Sequence, residues 1–120
     1  MRIAITANDQ NLDTDVDQRF GRTPYFLLVD TDNLGFEVIE NKQSFDLPQG
    51  AGIQAAQNIV PYRPVAVLTG NCGPKAFKVL EAAKIEVVTG VKGKIRDVVK
   101  AYVDGAYHGA EGANVEEHWV

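Results

Sequence analysis

Two short glycine-bearing segments hold the residues of this 120-residue chain whose types and spacing suit chemistry. One is Gly70-Asn71-Cys72-Gly73-Pro74-Lys75. It follows the apolar run Val65-Ala66-Val67-Leu68 and precedes Ala76, Val79, Leu80 and Ala83, which recur as on one face of a helix. The other is Pro48-Gln49-Gly50-Ala51-Gly52, followed by Ile53, Ala56, Ile59 and Val60 as the apolar face of another helix. Proline in a first helical turn loses no hydrogen bond, and paired glycines let a ligand approach the backbone closely. Each segment therefore predicts a helix start whose unpaired N–H groups and dipole favour an anion. Neither is a nucleotide fingerprint, because the chain contains no Gly-x-x-x-x-Gly-Lys-Ser/Thr and no Gly-x-Gly-x-x-Gly.

Several side chains bear on the same chemistry. Arg19 and Arg22 flank Phe20-Gly21. Their planar, permanently charged forks suit a multi-oxo or multi-thio anion, although two solvated surface arginines are the simpler reading of the pair alone. Lys42 and Lys75 add positive charge. Lys75 opposes the dipole of the helix it opens, and a bound anion would offset that. Cys72 has two readings, a thiolate metal ligand at a helix start or a small buried hydrophobe. Asp13, Asp15 and Asp17 alternate like a calcium loop, but Gln18 and Pro24 stand where glycine and glutamate are required. His108 and His118, with Glu111, Glu116 and Glu117 near them, match no zinc spacing and read as solvated. Asp9 and Asp30 have no identifiable partners for two-metal nuclease chemistry. With no catalytic residue in view, the expectation is a binding protein and not an enzyme.

These segments need a scaffold. Residues 2–7 (RIAITA), 25–30 (YFLLVD) and 36–40 (FEVIE) read as strands, the last two joined by turn residues 31–35. Residues 65–68 and 85–89 read as two more, and Ile95, Val98, Val99, Tyr102 and Val103 mark a third helix after the Gly90–Gly93 turn. The order is β-β-β-α-β-α-β-α. Short turns make the first three strands antiparallel, and the helical crossovers make the others parallel, so an α/β fold with a five-stranded mixed sheet flanked by helices is expected. At 45% hydrophobic the chain buries one core, assigned to a single domain over residues 1–104. Residues 105–120 hold glycine and alanine without a period and are expected to be mobile or loosely docked through Trp119. A net charge of −4 argues against general nucleic-acid or acidic-membrane binding and makes any anion site local. One cysteine excludes an internal disulfide and any Cys-x-x-Cys metal site, which fits a reducing cytoplasm. The N-terminus resembles neither a signal peptide nor a membrane span.

The element order, Arg19-Phe20-Gly21-Arg22 before the second strand, Gly50-Ala51-Gly52 opening the first helix and Gly70-x-x-Gly73-Pro74 opening the second together resemble the dinitrogenase iron–molybdenum cofactor biosynthesis family. That family includes NifX- and NafY-type carriers and the stand-alone orange protein, the size class of this chain. The resemblance covers about residues 1–104. It implies an RNase H-like fold and non-covalent carriage of an anionic metal–sulfur cluster: a molybdenum–copper sulfide cluster or an iron–molybdenum cofactor precursor. It places Arg19, Phe20, Gly21, Arg22, Lys42, Gly50, Ala51, Gly52, Asn71, Cys72, Gly73 and Lys75 at the cofactor. Some members carry histidine where this chain has Gln49, a poor metal ligand. The resemblance also suggests cofactor-assembly proteins as partners of a monomeric chain. The alternative reading is a regulatory module that binds a ParA- or Mrp-like P-loop ATPase with no cluster of its own, using Tyr107 and Trp119 as aromatic anchors.

Overall fold

A computed structural model describes residues 1–116. Strand β1 (Arg2–Ala7) is the centre of the sheet. Its alternation sends Ile3, Ile5 and Ala7 into one core and Ala4 into the other, so both faces are covered. β2 (Tyr25–Asp30) pairs antiparallel with β1, Arg2 opposite Asp30, and β3 (Phe36–Glu40) pairs antiparallel with β2 as an edge strand. On the other side β4 (Ala66–Leu68) runs parallel to β1, and β5 (Glu86–Val88) runs parallel to β4. The spatial order is β3-β2-β1-β4-β5. Helices α1 (Ala51–Ile59), extended by a 3-10 turn at Val60–Tyr62, and α2 (Pro74–Ala82) pack Ala55, Ile59, Phe77 and Leu80 on one face. α3 (Ile95–Val103) packs Ile95, Val98 and Val99 on the other. The five-stranded mixed sheet flanked by three helices is the fold the sequence predicts.

This topology selects one end of the sheet. β1 and β4 lie side by side and parallel, yet the chain leaves β1 toward β2 and leaves β4 toward β5. Their C-terminal ends therefore frame the crevice at which open α/β sheets bind ligands. Antiparallel β3 finishes at the same end, which brings the start of α1 there as well. The fully buried Thr6 and Thr69 tie the two strand ends together, their hydroxyls 2.9 Å apart, while Thr6 Oγ1 also donates to the Asp17 carbonyl at 2.7 Å.

The described part of the segment beyond α3 is hydrogen-bonded to the body: Ala106 donates to the Ala101 carbonyl (3.0 Å), Ala110 to Val87 on β5 (2.6 Å) and Asn114 to Cys72 (3.2 Å). Backbone bonding of this kind leaves no hydrophobic period in the sequence, so pattern alone does not reveal it. Glu117, His118 and Trp119 lie outside the described residues.

Candidate functional site

The arginine loop is shaped from within. Asp17 Oδ1 accepts the Arg19 amide at 2.9 Å, and the Arg22 amide bonds back to the Arg19 carbonyl at 3.3 Å. Phe20 is buried against Phe26, their ring centroids 5.5 Å apart, so a hydrophobic anchor sits between two exposed arginines. The loop is also stitched to the turn after β4. The Phe20 amide donates to the Asn71 carbonyl at 3.1 Å, and Asn71 Nδ2 donates to the Gln18 carbonyl at 2.9 Å. Gly70 permits this approach, since a Cβ there would lie 2.7 Å from the Cα of Gln18.

The start of α1 joins the same end through amide side chains. Gln43 Nε2 reaches the carbonyls of Gly21 and Ala51, each at 3.3 Å, and Asn41 Nδ2 donates to Thr23 O at 2.8 Å. Gln54 holds the intervening loop, accepting the Ser44 amide at 2.7 Å and donating to the carbonyls of Ser44 and Gln49 at 2.9 and 2.8 Å. Residues 19–22, 50–52 and 71–75 are thus linked by hydrogen bonds at one end of the sheet.

The two helix starts share an electrostatic character. Gly50 and Gly73 are the N-caps, extended at φ −71° and −78°, with no side-chain cap among the described residues and no acidic residue in either first turn. The first intrahelical bonds run from the Gln54 amide to Gly50 and from the Phe77 amide to Gly73, at 3.1 and 3.0 Å. Ahead of them the N–H groups of Ala51, Gly52 and Ile53 point out of α1, and the positive dipole ends of both helices lack a carboxylate of their own. α3, which starts at the same end but on the other face of the sheet, against residues 12–16, does carry one, Asp97, in its first turn. Lys75 stands exposed on the first turn of α2.

The Cys72 side chain is only 1% exposed and packs in the core with Phe20, Ala76 and Leu80, its Sγ 3.7 Å from the Gly73 carbonyl. The turn presents the backbone of Cys72 and buries its sulfur. Phe20 likewise positions the loop through packing and offers no exposed ring. Lys42 borders clefts lined by Glu40 and Asn58 on one side and by Pro24 and Tyr25 on the other, beside the β3 edge. The sequence reading missed Gln18, Asn41, Gln43, Gln54 and Asn114. Asn114 Oδ1 accepts the Cys72 amide at 2.7 Å, while Nδ2 donates to Gly70 O at 3.2 Å and to Asn71 Oδ1 at 3.0 Å. A lone asparagine in a glycine–alanine stretch was the one available signal. Tyr107, considered as a partner anchor, packs against the α3-side core.

Among the described residues no group of three His, Cys, Asp or Glu could hold a metal ion, and Asp13 is engaged by Arg96 at 3.1 Å. No described helix is long and apolar enough to cross a membrane. A further cleft lies at the opposite end of the parallel strands, lined by Arg63, Pro64, Val65, Lys84 and Ile85, and it lacks the convergent polar groups of a ligand site.

Fold and hydrogen-bond network together define an α/β protein with a candidate ligand crevice at a sheet switch point. The chain belongs to the dinitrogenase iron-molybdenum cofactor family, whose pattern matches residues 1–105. It is similar to the apo form of the orange protein (ORP) from Desulfovibrio gigas: 42% identity, TM-score 0.88, covering 95% of this chain and 96% of that one. It is also similar to the crystal structure of PH0822, at 35% identity and TM-score 0.74, covering 92% of this chain and 97% of that one. The uncharacterized protein MJ0580 of Methanocaldococcus jannaschii is 28% identical over 108 residues, 88% of this chain and 87% of its own length. Family membership supports a role in cofactor binding or cofactor biosynthesis.

Proposed function

We propose that this chain is a non-enzymatic carrier of an anionic, molybdenum-containing metal–sulfur cluster, held non-covalently where residues 19–22, 50–52 and 71–75 meet. The observation that carries the reading is the pairing of two helix starts that lack side-chain caps and first-turn acids among the described residues with an arginine loop bonded to the turn before α2 and bridged by Gln43 to the start of α1. The cargo is a molybdenum–copper sulfide cluster or an iron–molybdenum cofactor precursor, passed between this chain and cofactor-assembly proteins. Such a cluster arrives with its own sulfides. It needs charge and hydrogen-bond donors, and one buried thiol is no obstacle to that. Arg19 and Arg22 supply permanent charge, and the N–H groups of Ala51, Gly52 and Ile53 supply donors.

Apo-protein mixed with tetrathiomolybdate and cuprous ion, then desalted, is expected to keep a visible chromophore and bound molybdenum. Arg19→Ala with Arg22→Ala is expected to weaken retention by about 1.5–3 kcal/mol for each charge-assisted hydrogen bond lost. A colourless wild-type protein after desalting contradicts the reading.

A further inference from the structure

We propose that residues 106–116 form a strap that latches the cargo site through Asn114 and is displaced when the anion binds. The inference rests on the carrier reading above. Asn114 makes four hydrogen bonds to the turn that opens α2: its Oδ1 takes the Cys72 amide, its Nδ2 serves Gly70 O and Asn71 Oδ1, and its own amide donates to the Cys72 carbonyl. The amide oxygen of Asn114 therefore sits where an anion would draw on the Cys72 N–H, 2.7 Å from the nitrogen. Cargo and Asn114 compete for one donor, and an anionic acceptor makes the stronger hydrogen bond.

The remainder of the strap is built to let go. Between the Ala110 amide bond to Val87 and Asn114, the residues Glu111, Gly112 and Ala113 are exposed, and a Cβ at Gly112 would meet nothing within 4 Å. Among the described strap residues Tyr107 and Ala110 pack against the cores, and Gly109 lies close against the Glu86 side chain. The strap also carries Glu111 and Glu116, close in sequence to Asn114. A polyanion at the turn repels both carboxylates, whereas the positive dipole end of α2 attracts them before loading. Loading thereby releases the strap, and strap release reports the loaded state.

Hydrogen exchange on the full chain, with and without saturating tetrathiomolybdate and cuprous ion, reads the strap directly. The amides of Ala110 and Asn114 are expected to exchange at least about tenfold faster in the loaded protein, with β1 unchanged. Asn114→Ala is expected to bind the probe about tenfold more tightly by removing the competitor. Loaded wild-type protein whose Ala110 and Asn114 amides exchange at the same rate or more slowly overturns the strap and leaves the carrier reading intact. Equal or weaker binding by a folded Asn114→Ala variant does the same. Absence of probe retention by both proteins overturns the carrier reading and the strap with it. Because the exchange measurement uses wild-type protein, a variant that fails to fold does not blunt the test.

Discussion

At the scale of the residue, Cys72 separates two ways of holding a cluster. Its backbone lines the turn while its sulfur lies in the core, 1% exposed. Cys72→Ser buries a hydroxyl among Phe20, Ala76 and Leu80. It is expected to lower stability by about 1–3 kcal/mol in denaturant unfolding, with retention of tetrathiomolybdate and copper unchanged once the fraction folded is accounted for. Loss of retention in folded Cys72→Ser would restore a ligand role for the sulfur. Phe20 works by the same division of labour. The ring anchors the loop beside Phe26, and the flanking arginines reach solvent.

At the scale of the element, α1 and α2 have no acidic residue in their first turns while α3 has Asp97. Ala51→Asp supplies the missing carboxylate to α1. It is expected to stabilise the apo-fold by about 0.3–1 kcal/mol through the helix dipole, yet to weaken probe retention by repelling the anion. Opposite signs in thermal unfolding and in retention are the signature of a helix start kept bare for a ligand, and matched signs would count against it. α3 offers a separate measurement. Tyr102 donates to Glu86 Oε1 at 3.1 Å, and burial first, then the hydrogen bond and charge of Glu86, raise its phenol above the ordinary value of 10.0. The folded chain thus binds this proton more tightly than the unfolded chain. The associated stability is present below pH 10 and is lost as pH rises from there through the folded value. Melting temperatures from pH 8 upward are expected to fall less steeply above about pH 10 in Tyr102→Phe than in wild type.

At the scale of the molecule, the sheet was legible and the wiring of its end was not. Runs such as RIAITA and YFLLVD announce strands because covering both faces of a central strand demands continuous apolar side chains. The stripe of Ile95, Val98 and Val99 announces α3 because one face must meet the core. The glycines that open α1 and α2 were readable for the same reason, as chain geometry leaves few other roles for Gly-x-Gly and Gly-Pro at a helix start. The network of Gln43, Asn41, Gln54 and Asn114 has no such period. Its members act through single hydrogen bonds between segments distant in sequence, and polar residues of this kind look alike in a loop whether they are bonded or solvated. The inward turn of Cys72 was hidden too, since a residue between two glycines carries no facing information until the helix behind it is packed.

On the carrier reading, charge and backbone donors, and not the single thiol, hold the cargo. Molybdenum and copper per folded protein, measured by elemental analysis after reconstitution and desalting, test it most directly in wild type, Cys72→Ser and Arg19→Ala/Arg22→Ala. Wild-type stoichiometry in Cys72→Ser and a large loss in the double arginine variant are predicted. Full loss in Cys72→Ser with wild-type stoichiometry in the arginine variant would contradict the account.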